Sequence, residues 1–214
     1  MLVWVVTAFI VYRVYAILPT SRSPITPSQS KRLAIFLGSG GHTTEALALI
    51  SALDFARYRP RTYILSEGDA FSYQKAVYHE DSRATAECPA DYRILTIPRA
   101  RRVHQPLLRT PPTALSALLV CIYHFLLASA PIGDVLILNG PGTCFVLCIA
   151  AYINKFLGLP APRLIYIETF ARVQSLSLSG KLLYPFVDRQ EKQENTPLVH
   201  SCSLEIRRPM AAAS

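Results

Sequence analysis

The chain has 214 residues, 51% of them hydrophobic and only 17% charged, enough for one sizeable core with a short appendage and too greasy for a free-swimming domain. Its formal net charge of +8 is gathered into two zones without an acid, residues 1–32 (Arg13, Arg22, Lys31, Arg32) and residues 92–133 (Arg93, Arg99, Arg101, Arg102, Arg109). Such zones face something anionic, lipid headgroups or a phosphorylated substrate, and no feature of the chain asks for nucleic acid, a metal or a cofactor.

The first predicted element is MLVWVVTAFIVYRVYAIL, residues 1–18, apolar apart from Thr7 and Arg13 and carrying Trp4, Tyr12 and Tyr15 as interface-type aromatics. Its length is near the lower limit for spanning a bilayer. A cleaved signal would place positive charge ahead of the apolar stretch and end in a small-residue site. Here Arg22, Lys31 and Arg32 follow it, so the expectation is a single-pass anchor with the remaining chain in the cytosol, a buried or interfacial helix being the alternative. Arg13 would snorkel to the cytosolic headgroups. Residues 19–31, polar and proline-bearing, form a linker.

Residues 32–189 then alternate in type. Strand-like runs fall at 32–38, 61–67, 92–98, 134–140 and 163–169, rich in Ile, Leu, Val and Tyr without strict alternation, as in strands covered on both faces. Helical stretches fall at 42–57, 70–79, 112–130 and 143–157. The pattern predicts an α/β fold, a Rossmann-like domain with a parallel sheet and right-handed crossovers. The apolar helix around 113–130, approached by four arginines, reads either as a buried crossover or as a membrane-surface helix. The five cysteines, odd in number and scattered, fit a reduced setting better than a disulfide framework or zinc site.

In such sheets ligands bind beyond the carboxyl ends of the strands, which singles out three loops. After the first strand comes GSGGHTTE: Gly38, Ser39, Gly40 and Gly41 turn the chain and expose N–H groups, and a helix begins near His42 and Thr43. That is a site for phosphate or diphosphate. After the fourth strand, Asn139, Gly140, Gly142 and Thr143 repeat the device, so two glycine turns could grip one diphosphate. A P-loop is excluded because no Gly-Lys-Ser/Thr follows. A dinucleotide fingerprint is weakened by Thr43 where glycine is wanted, although Glu67 stands where a ribose-binding acid would. After the fifth strand comes ETFAR, with Glu168 and Arg172. His42 or Glu168 could serve as a general base; Glu168 could equally hold a sugar hydroxyl or pair with Arg172, and Arg172 could contact phosphate.

The segments FLGSGGHTTEAL, IPRAR, LILNGPGTC and YIETFARVQSLSLSGKLLYPFVDR resemble the membrane-anchoring subunit of the two-subunit UDP-N-acetylglucosamine transferase of dolichol-linked oligosaccharide assembly. The resemblance implies the N-terminal, acceptor-side half of a split GT-B glycosyltransferase, inactive alone. It further implies a heterodimer with a catalytic subunit that binds UDP-N-acetylglucosamine. The implied reaction adds the second N-acetylglucosamine to a dolichyl-diphosphate acceptor at the cytosolic face of the endoplasmic reticulum membrane, which is continuous with the nuclear envelope. A purely non-catalytic recruiter and, more distantly, a nicotinamide-dependent oxidoreductase are the alternatives.

Past Arg189 the chain departs from the family pattern. Residues 190–214 are polar at first, show no clear strand run and end in small residues, so a disordered tail is expected. With it the sheet would lose an element and the partner a docking surface.

Overall fold

A computed structural model describes residues 1–19, 30–85, 89–101, 105–106, 110–127, 131–140, 142–169 and 177–191. Helix α1 covers Leu2–Ile17, followed by β1 (Leu33–Leu37), α2 (Gly41–Ser51), β2 (Arg61–Ser66), α3 (Ala70–Asp81) and β3 (Tyr92–Ile97). Then come α4 (Thr110–Leu126), β4 (Val135–Asn139), α5 (Thr143–Leu157), β5 (Arg163–Ile167), α6 (Leu178–Leu183), a 3-10 turn at Tyr184–Phe186 and β6 (Arg189–Glu191). The six strands form one sheet in the order β3-β2-β1-β4-β5-β6, and every pairing is parallel. The order reverses between β1 and β4, the switch point at which such sheets open a crevice for ligands.

The apolar strand runs bury both faces because side chains alternate across a strand. Ala34, Phe36, Ile64, Leu136 and Leu138 pack with Ala117 and Cys121 of α4 and Leu147 and Ala151 of α5. Leu33, Ile35, Leu37, Tyr63 and Ile137 pack on the opposite face with Ala46, Leu47 and Ile50 of α2 and Ala76 of α3. The thiols of Cys121, Cys144 and Cys148 are free and buried in the first cluster. Burial pushes those of Cys121 and Cys148 up to about 12, so they act as small apolar side chains.

Three boundaries differ from expectation. The helix expected over 42–57 stops at Ser51, because Asp54 turns the chain: its carboxylate accepts the Ala56 amide at 2.9 Å and its carbonyl accepts those of Arg57 and Tyr58 at 3.2 and 3.0 Å. The domain does not end at Arg189, for Arg189, Gln190 and Glu191 pair with Ile165, Tyr166 and Ile167 as a sixth strand. Asp188 fastens this entry, its amide donating to the Leu164 carbonyl at 2.8 Å and its carboxylate accepting the Leu164 amide at 2.7 Å. The expected loss of a sheet element is thereby corrected; residues 192–214 lie outside the described residues.

The third difference concerns the span expected over residues 1–18. Among the described residues no helix is long and apolar enough to cross a membrane. The 16 residues of α1 rise about 24 Å, against roughly 30 Å of bilayer hydrocarbon. The helix ends before Leu18, whose extended ψ of 155° is what a following proline imposes. Arg13 turns back toward the domain and donates to the carbonyls of Lys155 (3.1 Å) and Phe156 at the last turn of α5. A cation there meets the negative end of the helix dipole. Trp4, Phe9, Tyr12 and Tyr15 remain exposed. Helix α4 shares this mixed character, with Ala117 and Cys121 buried and Leu115, Leu119 and Tyr123 exposed.

Candidate functional site

The loops after β1 and β4 meet at the switch point, and glycine is what lets them. A Cβ on Gly38 would lie 2.8 Å from the Cβ of His42 and 2.9 Å from the carbonyl oxygen of Asn139, inside any tolerable approach. A Cβ on Gly140 would lie 3.6 Å from the His42 ring. The imidazole therefore sits where the two glycine turns converge. Gly40 caps α2 at φ +68° and Gly142 caps α5 at φ +64°, with open space around both positions and no side-chain cap on either helix. Two helix N-termini thus offer first-turn amides and the positive ends of their dipoles to the same crevice.

Hydrogen bonds tie three loops together around His42. Asn139 Nδ2 donates to the His42 carbonyl at 3.2 Å. His42 Nδ1, buried and without a hydrogen-bond partner among the described residues, stands 3.7 Å from Glu45 Oε2. The other oxygen of Glu45 accepts the Thr169 hydroxyl at 2.7 Å, which brings in the loop after β5. Neither Glu45 nor Thr169 was singled out from the sequence. The available signal was the i, i+3 spacing of His42 and Glu45 on the first turn of a helix. Lys75 was missed as well: it sits on α3, yet its Nζ donates to Thr44 Oγ1 at 2.7 Å and adds positive charge beside the start of α2.

The remaining predicted residues divide by where their side chains go. Ser39 and Gly41 are exposed at the crevice. Thr43 is fully buried, its hydroxyl donating to the Gly38 carbonyl and pairing with Ser72 Oγ at 2.6 Å, so only its backbone amide is left for a ligand. Thr143 is buried at the start of α5. Glu168, 2% exposed, accepts the Ser177 amide and hydroxyl, both at 3.1 Å, and so secures the capping residue of α6. Arg172 lies outside the described residues. Glu67 is exposed beyond β2, and of the basic zone Arg93 donates to Thr62 Oγ1 at 2.9 Å and to the Pro131 carbonyl at 2.6 Å. The arrangement can bind an anion between two helix termini and offer an imidazole to a hydroxyl beside it.

Comparison with known proteins bears on which anion and which hydroxyl. Residues 33–196 match the family described as Oligosaccharide biosynthesis protein Alg14 like. The chain is 45% identical over 202 residues to the UDP-N-acetylglucosamine transferase subunit ALG14 of Cryptococcus neoformans, covering 87% of each chain. It is 43% identical over 190 residues to the Schizosaccharomyces pombe protein of that name, covering 87% of this chain and 88% of the relative. With the Homo sapiens protein the figure is 35% over 187 residues, covering 86% and 83%.

Proposed function

The chain belongs to the Alg14-like family of oligosaccharide biosynthesis proteins, and from that membership we propose that it is the acceptor-side subunit of a UDP-N-acetylglucosamine transferase in dolichol-linked oligosaccharide synthesis. In this reading the chain holds a lipid diphosphate carrying one N-acetylglucosamine, while a separate catalytic subunit binds UDP-N-acetylglucosamine. The chain is inactive without that partner. Helix α1 attaches it to the endoplasmic reticulum membrane, with the domain in the cytosol.

The observation that carries the proposal is the convergence of two glycine-capped helix N-termini on His42. One turn serves each end of the diphosphate, whose charge the amides and dipoles compensate. The acceptor sugar then stands beside the imidazole. Its hydroxyl oxygen bonds to the anomeric carbon of the donor sugar as the bond from that carbon to UDP breaks, the electron pair leaving with UDP. The hydroxyl proton passes to His42 Nε2. Glu45, facing Nδ1 from 3.7 Å, is the positioning residue that keeps the resident proton on Nδ1 and Nε2 free to accept.

Gly40→Val tests this with labelled UDP-N-acetylglucosamine, the catalytic partner and a lipid diphosphate acceptor. Transfer should fall by roughly 10²-fold or more, the scale of losing preorganised amide donors. Gly41→Ala provides the control for folding, since nothing lies within 4 Å of its added Cβ: thermal stability should hold while transfer falls. Normal transfer by a folded Gly40→Val protein would contradict the diphosphate site and leave a purely recruiting subunit.

A further inference from the structure

Between the C-terminal half of α1 and the outer face of α5 lies an open cavity of about 340 Å³. Val14 and Ile17 form one wall, and Phe145, Ile149, Ile153 and Phe156 form the other. The α5 residues recur on one helix face, so the groove follows the helix from its first turn to its last, about 17 Å. No charged side chain lines it. Protein interiors close such apolar space with side chains, and this one stays open along its length.

The groove begins at the site already described. Phe145, 41% exposed, is the third residue of α5, just beyond Gly142 and Thr143 at the glycine-capped end. Its far end lies where Arg13 clamps α1 to Lys155 and Phe156. A polar occupant such as a peptide would leave its backbone groups unpaired against these walls, whereas a branched hydrocarbon needs no partner. For a molecule with its diphosphate between the two helix termini, exposed Phe145 offers its hydrocarbon an apolar way out along α5.

We propose that the α1–α5 groove receives the first isoprene units of the acceptor's prenyl tail, led from the diphosphate site along α5 toward α1. The inference rests on the diphosphate reading of the glycine loops. It assigns α1 and α5 a substrate-binding role beyond attachment and core packing.

Equilibrium binding of N-acetylglucosamine diphosphate esters with methyl, prenyl, geranyl and farnesyl groups to the full chain tests it. Affinity should climb by about tenfold or more from methyl to farnesyl, less than full burial of the added carbons would give because the groove is open on one side. Ile149→Asp and Ile153→Asp should each flatten the series to the methyl value while leaving that value unchanged. An equal slope in the wild type and both variants would overturn the proposal. So would loss of the farnesyl gain to an equal concentration of short-chain phosphatidylcholine, which would make the groove a general lipid site. A farnesyl ester bearing a photoreactive group gives a readout without mutation: labelling within residues 143–157 is expected, and labelling only elsewhere would overturn the assignment. If the diphosphate reading alone is wrong, the methyl ester fails to bind or Gly40→Val leaves its affinity unchanged, while the dependence on tail length persists.

Discussion

His42 owes its place to residues far apart in the chain: Gly38 and Gly140 make room for its ring, Asn139 holds its carbonyl, and Glu45 and Thr169 join beside Nδ1. The glycines were legible in the sequence because a positive φ and a close backbone approach are local demands that one residue type meets. The contacts of Thr169, Lys75 and Glu168 were not, since they depend on which loops the sheet order makes neighbours. His79 shows the same at a distance from the site. It packs on Phe55, ring centroids 5.6 Å apart, with Nε2 buried and unpaired among the described residues. Burial first, and then the charge of Arg83, hold its pKa below the ordinary 6.5. In the folded chain it takes its proton at lower pH than in the unfolded one, so between 6.5 and its folded pKa the unfolded chain binds more protons. Stability should therefore be full above pH 6.5, fall as the pH drops through that window, and level off below it. Urea titrations of His79→Gln at a series of pH values should lose this slope, with acetylglucosamine transfer close to wild type; an unchanged slope would contradict the assignment.

At the scale of elements, β2 and α3 are joined by a buried network. Arg61 and Glu80, 2% and 1% exposed, meet through bonds of 2.6 and 2.7 Å, and the Tyr63 hydroxyl donates to Glu80 at 2.6 Å. Arg61 also donates to the carbonyls of Phe55 and Tyr58 and lies 4.2 Å from the centroid of the Phe55 ring. Burial and the neighbouring carboxylate push the Tyr63 phenol far up. Glu80→Ala would leave the Arg61 charge buried without its partner, so unfolding free energy should drop by about 3–5 kcal/mol. The measurement is the urea midpoint at neutral pH, and a loss of under about 1 kcal/mol, the scale of an exposed pair, would refute a structural role for the network. Five strands and four helices of the domain were legible because their apolar runs are long enough to show a period. The six-residue α6 and three-residue β6 were not. They form because Ser177 caps the helix with a bond to Gly180 and Asp188 pins the strand to Leu164, and neither device leaves a periodic trace.

Across the whole molecule, the parallel order of the sheet and its reversal between β1 and β4 explain why three separated loops share one crevice. The two basic zones were legible as charge but not as surface, since Arg93 and Arg13 are spent on internal carbonyls. The family match continues to residue 196 and the sheet to Glu191, so the stretch in which the chain leaves the family pattern begins after the sixth strand. We expect the catalytic subunit to be recovered in smaller amount by this chain than by a chimera in which residues 192–214 are replaced by the corresponding segment of a relative. Equal recovery in a pull-down would show that the tail plays no part.

The Arg13 clamp changes what the 15 residues between α1 and β1 can do. A flexible tether lets a domain wander over a range set by its own length. Here α1 is fastened to the last turn of α5, and the opposite end of α5 is Gly142, one jaw of the crevice. Helix α5 is thus a ruler of 15 residues, about 22 Å, laid between the greasy helix and the crevice. The separation of the crevice from the Arg13 clamp is fixed by that ruler and does not depend on the length of the linking chain.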